Sequence, residues 1–471
     1  MKAAIMSLNR NKAADFYGIK ADNIIYGGKM LHLFPQKLLD KIFETGDISD
    51  ILKIGTLFPV YKNKGDHKDA KFYREITVTP IYSKIIEKII KSRENPKILE
   101  VQNTLQKGFT EDTTSLLCEL LIEEFERENK DLKLPTYIAF LDNKSAFDVV
   151  VHVNLIRRLY QTGMLNQSIL LLNSLYSNAS ICVKWNGNIS ELFTIEQGVR
   201  QGGAISVDLY KVCVNPLLDI FSKTGLGGHI GDINCCAPTC ADDVTLVSNN
   251  PLELQMLIDI VVNYSKREGY TLQPTKSVIL PVKSPKLVDM GSEFWTINNN
   301  NMPVMTTTTY IGIHKSDQDS AKLSVNENIK KARRTTYSLM GSGFHGRNGL
   351  DPETIISLIK TYVLPVLTYG LEIVLPLGKN MECLRMYFKK LLKQLLSLPN
   401  NIADISIYIL NGLLPIEAEI HLKVLSLFGN ITRAKRSSVE WKLADRQLLL
   451  KNRNSHSWFV DIKKICLEYD I

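Results

Sequence analysis

Two adjacent carboxylates, Asp242 and Asp243, are a candidate site for binding a divalent cation. They follow Cys240-Ala241 and precede the apolar, β-branched run Val244–Val247, a pattern that predicts the tip of a β-hairpin. Paired acids at such a turn can hold a hard divalent cation, because oxygen ligands suit Mg²⁺ and its charge offsets the repulsion between the carboxylates. Taken alone, the pair is better explained as a solvated turn, since Asp favours turns through its own backbone hydrogen bonds.

A third carboxylate, Asp142, changes that balance. It ends the run Thr136–Leu141, whose β-branched and aromatic residues predict a strand. Two-metal phosphoryl transfer takes acids from separate chain segments and holds its ions roughly 3.5–4 Å apart. We therefore expect Asp142 to meet Asp242 and Asp243 at the ends of neighbouring strands.

The residues around these acids resemble two catalytic motifs of the reverse transcriptases of non-LTR, LINE-type retrotransposons. Residues 142–148 (DNKSAFD) resemble the first of these motifs, and residues 240–243 (CADD) resemble the third. An ordered match of several motifs is more specific than any one of them, and this likeness extends over residues 5 to about 430. The other matching segments, in the family's own order, are two fingers motifs at 58–66 and 73–76, the second palm motif at 197–206, and the last two palm motifs at 268–276 and 310–312.

The resemblance implies an α+β fold of the right-hand polymerase class, with fingers, a ferredoxin-like antiparallel palm and a helical thumb. The implied function is RNA-directed DNA synthesis, in which deoxynucleotides are added to a primer 3′-OH on an RNA template during retrotransposition. Only about fifty residues precede the fingers motifs, so we expect the polymerase portion without an N-terminal endonuclease. The expected parts are an N-terminal extension with the fingers at 1–135, the palm with some finger elements at 136–315, the thumb at 316–430 and a basic C-terminal tail at 431–471.

The same resemblance implies a role for each candidate site residue. Asp142 and Asp242 would hold two Mg²⁺ ions, for which Mn²⁺ could substitute, with Asp243 in support. Lys276 would lie near the leaving pyrophosphate and donate a proton to it. The residues expected around the incoming dNTP are Arg74 and Lys62 at the triphosphate, Phe147 beneath the sugar, and Gln201 and Gly202 against the forming base pair.

Three further lysines of the fingers loop, Lys64, Lys68 and Lys71, have two interpretations. They either belong to a solvated basic turn or contact the triphosphate or the template backbone.

Two positions depart from the family pattern. Cys240 stands where the family most often has tyrosine or phenylalanine, and Glu75 stands where proline usually follows the arginine. Cysteine is small and apolar, so Cys240 is either tolerated beneath the acids or marks a decayed copy. The alternative function is therefore a catalytically inactive retroelement remnant that keeps the fold and binds nucleic acid.

Composition sets broader bounds. The chain has 471 residues, 45% hydrophobic and 23% charged, with a net charge of +8, which is an ordinary globular composition. The basic excess fits polyanionic partners such as an RNA template and a DNA primer, although many other proteins share it. The eight cysteines are scattered, which predicts thiols in a reducing intracellular compartment, the cytoplasm, the nucleus or both. No stretch reaches the ~20 apolar residues of a membrane span, so we expect no membrane contact.

Local patterns predict the elements that would position the site. Asn186-Gly187 between two alternating segments predicts a hairpin turn, and Asn250-Pro251 predicts the start of a helix. Helical periodicity is expected over 145–162 and within 1–50, where Pro35 is one of the expected interruptions.

The chain after residue 312 is expected to be helical. Within it, residues 381–398 predict an amphipathic helix whose cationic face either is solvated or follows a primer-template backbone. The tail after residue 431 shows little pattern. The cationic face consists of Arg385, Lys389, Lys390 and Lys393.

Overall fold

The computed structural model describes residues 1–63, 65–110, 113–344 and 350–470. These residues form two compact units, each assembled from separate stretches of chain. The first unit contains 1–109, 143–223 and 260–273, and the second unit contains 110–142, 224–259 and 274–471. The four successive parts expected from the sequence are a functional division, and their bounds stay a prediction.

Helices dominate both units. In chain order and within the described ranges, they are α1 (Lys2–Met6), α2 (Ala21–Ile25), α3 (Gly28–Thr45), α4 (Ile81–Val101), α5 (Leu116–Leu132), α6 (His152–Gln161), α7 (Asn166–Tyr176), α8 (Ser206–Thr224), α9 (Pro251–Glu268), α10 (Ser320–Gly341), α11 (Pro352–Leu358), α12 (Leu364–Thr368), α13 (Lys379–Leu395), α14 (Asp404–Asn411), α15 (Ile416–Arg433), α16 (Val439–Leu450) and α17 (Trp458–Glu468).

Short strands carry the candidate motifs. In the same ranges they are β1 (Ile54–Tyr61), β2 (Tyr73–Val78), β3 (Thr136–Leu141), β4 (Ser180–Trp185), β5 (Asn188–Ile189), β6 (Phe193–Thr194), β7 (His229–Ile230), β8 (Ile233–Asn234), β9 (Thr239–Cys240), β10 (Asp243–Ser248), β11 (Val278–Val282), β12 (Thr296–Ile297), β13 (Asn300–Asn301), β14 (Thr307–Tyr310) and β15 (Ile313–Ser316).

The main sheet of the first unit has the order β2-β1-β4-β5, with β6 also paired to β4. Strands β1 and β2 are antiparallel, whereas β1 and β4 are parallel. The hairpin turn predicted between β4 and β5 is confirmed: Asn186 has φ 48° and Gly187 has φ 85°. Two successive left-handed residues match the right-handed twist of the flanking strands, which is why Asn-Gly is favoured there.

The main sheet of the second unit has the order β11-β3-β10-β9, and every neighbouring pair is antiparallel. This is the strand order of a ferredoxin-like sheet, in which the first strand lies between the last and the third. All six residues of β3 are buried, which accounts for its unbroken run of apolar and β-branched residues. The sheet therefore holds β3 and β10, the two strands that carry the candidate acids, side by side.

Two expectations about helix limits are wrong. The helix expected over 145–162 begins only at His152, because Val199 N–H donates to Phe147 O and Gly198 N–H donates to Val150 O, both at 2.7 Å. The carbonyls of Phe147 and Val150 thus accept hydrogen bonds from another segment instead of from a helix. Helix α3 continues through Pro35, since the proline removes one hydrogen bond while the helix still buries Leu39 and Ile42.

The expectation of a helical chain directly after residue 312 is wrong for Ile313–Ser316, which form β15 and pair with β14. Beyond residue 316 the expected helical character is confirmed within the described ranges. The expectation of an unpatterned tail after 431 is wrong, because α16 and α17 form there and Trp458 and Phe459 are fully buried. Trp458 Nε1 donates to Glu372 O at 2.7 Å, and the Ser457 hydroxyl donates to Glu124 at 2.9 Å. The apolar spacing of Trp458, Ile462 and Ile465 was the available signal.

Within the described residues, no single helix combines the length and apolar character needed to cross a membrane. Helices α14 and α15, which meet at a bend of 56°, reach that length and composition only when counted together.

Candidate active site

The carboxylate hairpin has the geometry that the sequence predicts. Cys240 and Asp243 face each other across β9 and β10, and Ala241 takes the left-handed conformation, φ 59°, in the turn between them. In the neighbouring pair, Val244 of β10 lies opposite Leu141 of β3. Because these strands are antiparallel, the residue after Leu141 and the residue before Val244 stand at the same sheet edge. Asp142, Asp242 and Asp243 therefore come together at that edge of the second unit.

These acids repel one another. Burial, with a further contribution from Asp142, raises the pKa of Asp242. Burial, followed by the charges of Asp242 and Asp142, raises the pKa of Asp243 to about 6. Clustered carboxylates of this kind favour either a retained proton or a bound cation.

Asp142 is fixed by its backbone, while part of its carboxylate is left without a donor. Its N–H donates to the Ser277 hydroxyl at 3.0 Å. Its Oδ2 atom is buried and accepts no hydrogen bond within the described ranges, although Lys276 Nζ stands 3.8 Å away. At that distance Lys276 supplies charge but not a hydrogen bond. Asp142, Asp243 and Lys276 line one cleft of about 140 Å³.

The donor set fits a hard divalent cation in its chemistry. Carboxylate oxygens are the ligands that Mg²⁺ and Mn²⁺ prefer, and a cation would satisfy the orphaned Asp142 oxygen and the repulsion between the acids. As these side chains are placed, no group of three or more His, Cys, Asp or Glu residues in the described ranges is spaced to hold a metal ion.

Cys240 packs beneath the hairpin. It is partly buried, and a hydrogen bond with the Cys118 thiol lowers the pKa of Cys240. The buried ring of Tyr310 also lies there, 5.2 Å from the ring of Phe140, and its hydroxyl donates to Pro238 O at 3.5 Å. The space expected for a larger aromatic at position 240 is thus bordered by Cys118 and Tyr310.

The candidate nucleotide residues lie in the first unit, where the 198–203 loop joins the edge of β2. Gln201 O accepts from Thr77 N–H at 2.9 Å, and Gln201 Nε2 donates to Asp148 Oδ1 at 2.9 Å. Gly202 has φ 113°, and a Cβ atom there would stand 2.7 Å from Thr77 O. Only glycine permits this backbone approach.

Phe147 is backed by a second aromatic ring. It is half-buried and stacks on Tyr210, with ring centroids 4.5 Å apart and planes 24° from parallel. Its carbonyl accepts from Val199 N–H, which ties it to the loop that carries Gln201.

Arg74 and Lys62 are exposed on the β1–β2 hairpin. Arg74 lies opposite Val60, and Lys62 Nζ donates to Lys71 O at 3.0 Å. Burial raises the pKa of Asp148. The hydrogen bond from Gln201 and the positive charge of Lys62 both oppose that rise. Lys62, Asp148 and Gln201 therefore share one region of the first unit. Lys64 lies outside the described residues.

Sequence reasoning missed Glu87 of α4. This buried carboxylate accepts from the N–H groups of Ala204 and Ile205, at the point where the glycine-containing loop enters α8. Burial raises the pKa of Glu87, and the charge of buried Arg200 opposes the rise. Arg200 in turn donates to Lys53 O at 3.0 Å. The signal was an acid inside the apolar run around Ile85 and Ile86.

We expect Glu87→Ala to lower the free energy of unfolding by about 1–3 kcal/mol, because the N–H groups of Ala204 and Ile205 lose their acceptor. Glu87→Gln keeps an acceptor for the loop and should lose less. Glu100→Ala, an exposed change on the same helix, is the matched control. Denaturant unfolding measures all three, and a loss for Glu87→Ala no larger than for the control would contradict the assignment.

We expect Asp243→Asn to stabilise the metal-free protein at neutral and higher pH. The pKa of this carboxyl is about 6 in the folded protein against an ordinary 3.8, so the folded state binds its proton more tightly. Stability is therefore lost as pH rises from the lower value to the higher, and the whole penalty is present above pH ~6. Since Asp243 is partly in water, we expect a gain of only ~1 kcal/mol.

Unfolding with a chelator present, at about pH 8 and about pH 5, measures this effect. The gap between variant and parent should shrink at the lower pH, and a gap that widens there would contradict the electrostatic cause.

The cationic face of α13 is largely neutralised within the second unit. Arg385 pairs with Glu417 and with Glu382, the latter at 3.1 Å. Lys389 and Lys393 both pair with Asp404, at 2.9 and 3.3 Å. The structure therefore favours the interpretation as a solvated, ion-paired face over a backbone-tracking one.

Comparison with known proteins identifies the family. The family model described as reverse transcriptase (RNA-dependent DNA polymerase) matches residues 62–314. Similar curated proteins include the R2 retrotransposable element Pol polyprotein of Popillia japonica, 25% identical over 67% of this chain and 44% of that protein. The R2DM Pol polyprotein of Drosophila melanogaster is 21% identical over 85% and 37%, respectively.

Two further likenesses complete the comparison. The RNA-directed DNA polymerase from mobile element jockey of Drosophila melanogaster is 22% identical over 72% of this chain and 37% of that protein. The chain thus spans less than half the length of these curated relatives. Among solved structures, apo telomerase from Candida tropicalis covers 88% of this chain and 69% of its own, with 12% identity and a TM-score of 0.41.

The matched region 62–314 is more than half of the 471 residues. It includes the three acids of the sheet edge, Lys276 and all five candidate nucleotide residues. The chain belongs to the reverse transcriptase (RNA-dependent DNA polymerase) family.

Proposed function

We propose that this chain is an RNA-directed DNA polymerase that adds deoxynucleotides to a primer 3′-OH by two-metal phosphoryl transfer, in the service of retrotransposition. The observation that carries the proposal is the meeting of Asp142, Asp242 and Asp243 at one edge of the antiparallel sheet, inside the region that matches the family. Similarity to proteins of the R2 retrotransposable element and the mobile element jockey supports a role in retrotransposition. RNA template, DNA primer and dNTPs are the proposed partners.

The proposed anatomy follows the same assignment. The sheet β11-β3-β10-β9 is the ferredoxin-like palm, the β1–β2 hairpin belongs to the fingers, and the helices after residue 316 supply the thumb.

In the proposed mechanism, Asp142 and Asp242 would hold two Mg²⁺ ions, or Mn²⁺ in substitution, and Asp243 would support them. Bound Mg²⁺ would lower the pKa of the attacking hydroxyl and offset the charge of the departing pyrophosphate. Lys276 Nζ, exposed and 3.8 Å from Asp142, is a cationic donor free to swing toward the leaving group and give it a proton. Its positive charge also stabilises the negative charge of the Asp142 carboxylate before substrate binds.

The first-unit residues would place the nucleotide. Phe147, held against Tyr210, lies beneath the sugar, while the Gln201-Gly202 backbone, pinned to Thr77, borders the base pair. Arg74 and Lys62 supply positive charge for the triphosphate. Each of these contacts orients substrate and requires no proton transfer by the chain.

A second candidate function is a remnant that binds nucleic acid without catalysis. Two observations favour it: Cys240 replaces the usual aromatic beneath the acids, and exposed Glu75 stands beside Arg74 on β2.

Extension of a DNA primer on an RNA template by purified protein tests the proposal. We expect extension with Mg²⁺ and none with a chelator. If the protein binds the RNA/DNA hybrid and extends nothing with either Mg²⁺ or Mn²⁺, the remnant function replaces the proposed one.

A further inference from the structure

Four aromatic side chains form a continuous row on the main sheet of the first unit. His67 stacks on Tyr61 with ring centroids 3.9 Å apart, Tyr61 lies 5.4 Å from Tyr73, and Tyr73 meets Trp185 edge-on at 5.2 Å. We call His67, Tyr61, Tyr73 and Trp185 the aromatic row. We propose that the aromatic row is a stacking platform for single-stranded RNA.

The aromatic row lies on the face of the β1–β2 hairpin opposite Arg74. Tyr61 pairs with Tyr73 across the two strands, and Val60 pairs with Arg74 one position along. Successive side chains of a strand point to opposite faces, so Tyr61 and Tyr73 share one face and Arg74 occupies the other. The aromatic row is therefore separate from the contact proposed for the triphosphate.

Only two of the four rings, Tyr61 and Tyr73, have a structural role in supporting the loop between β1 and β2. The hydroxyls of Tyr61 and Tyr73 donate to Gly65 O at 2.7 Å and to His67 O at 2.9 Å. These bonds hold the loop against the sheet and so fix His67 in its stack. Such preorganisation reduces the ordering that a ligand would otherwise have to impose.

Trp185 has no comparable structural role. It is 44% exposed at the end of β4, and in the described ranges its indole N–H donates no hydrogen bond. Its ring contact is with the edge of Tyr73. A large aromatic surface left in water beside other rings marks an interaction site more often than an isolated exposed residue does. Trp185 and the exposed His67 thus offer the two open ends of the row.

The chemistry of the row favours a nucleic acid strand. Aromatic rings stack on any base, since every base has a π-face, and this gives sequence-tolerant binding of single strands. An exposed lysine stands next in sequence to each of the two outer rings: Lys68 beside His67 and Lys184 beside Trp185. Cations interleaved with rings match alternating phosphates and bases. A duplex hides its base faces and would not use the row.

The identity of the strand as RNA rests on the proposed function. Binding is therefore measured on the Asp142→Asn protein without nucleotides, so that failure of polymerisation leaves the result for the row unaffected. The probes are a fluorescent oligouridine of about 12 nucleotides, within the range of single-strand site sizes, and an RNA duplex of the same length.

We expect Trp185→Ala to weaken binding of oligouridine at least about 5-fold, the lower end of the effect of losing one base stack. His67→Ala should act in the same direction, and Trp185→Phe should stay within about 2-fold because it keeps a ring. Tyr160→Ala, which removes an exposed aromatic of α6 in the same unit, is the matched control and should leave binding unchanged.

Two comparisons separate stacking from charge. The Trp185→Ala ratio should be the same at low and at moderate salt, whereas the effect of Lys68→Ala should shrink as salt rises. Duplex binding should be unaffected by Trp185→Ala. The proposal is overturned if Trp185→Ala and His67→Ala bind oligouridine as tightly as the parent, or if they weaken duplex binding equally. Unfolding midpoints equal to the parent's establish that the variants are folded.

Discussion

Asp242→Asn should reduce primer extension at least about 1,000-fold while leaving the protein folded. A metal that stabilises entering and leaving oxygens contributes several kcal/mol, and each 1.36 kcal/mol is tenfold in rate. Asparagine keeps the shape of the side chain and removes the charge that would hold the cation. Asp142→Asn should behave in the same way, since its orphaned Oδ2 atom stands at the same sheet edge.

The electrostatics of the site separate this loss from simple damage. Asp242 and Asp142 both raise the pKa of Asp243, so neutralising either should relieve repulsion and lower the pKa of that carboxyl. The variants should therefore be at least as stable as the parent when metal is absent. Asp232→Asn, an exposed aspartate at the turn between β7 and β8 of the same unit, is the matched control.

Extension rates under single-turnover conditions, together with unfolding curves, measure both effects. Variants that extend as fast as the parent would show that the carboxylate assignment is wrong. If the variants are inactive and also unfolded, primer extension is measured instead on Asp243→Glu and Asp243→Asn. These substitutions should disturb the fold less, since that position is partly exposed.

The sequence was sufficient where local pattern and geometry coincide. The Asn186-Gly187 turn requires two left-handed residues, and the acids around Ala241 precede a continuous apolar, β-branched strand. The pairing of β3 with β10 could be anticipated because the candidate motifs each end or begin a strand with an acid. Helix limits were harder, since the backbone of Phe147 and Val150 is claimed by Gly198 and Val199, about fifty residues later in the chain.

Long-range partners explain the other differences. From the sequence alone, the cations of α13 could follow a nucleic-acid backbone. The fold places Glu417 and Asp404 beside them as ion-pair partners. The segment after residue 431 shows little pattern in the sequence, and its helices are explained only by the fold, in which Trp458 is buried and donates to Glu372 O. Glu87 was passed over for the same reason, because only the fold brings the loop at Ala204 to it. A single sequence indicates which residues are amphipathic or charged, but pairing partners distant in sequence decide whether they face solvent.

Phe147→Val should shift sugar choice toward ribonucleotides by at least about 10-fold in the ratio of kcat/KM values, or about 1.4 kcal/mol in differential transition-state binding. A ring against C2′ leaves no room for a ribose 2′-OH, and valine opens that room. Because the ring stacks on Tyr210 at 4.5 Å, it is held in place and cannot simply rotate away from a bulkier sugar. Competition between ribonucleotides and deoxyribonucleotides on one RNA template measures the ratio.

Two controls decide what Phe147 does. Tyr210→Phe keeps the supporting ring and should leave sugar choice unchanged, whereas Tyr210→Ala frees the Phe147 ring and should relax the choice partway. Continued use of deoxyribonucleotides by Phe147→Val shows that its site is intact, since Val199 bonds only to the backbone at that position. Unchanged discrimination in an active Phe147→Val protein would mean that the stack on Tyr210 is core packing and that another residue guards the sugar.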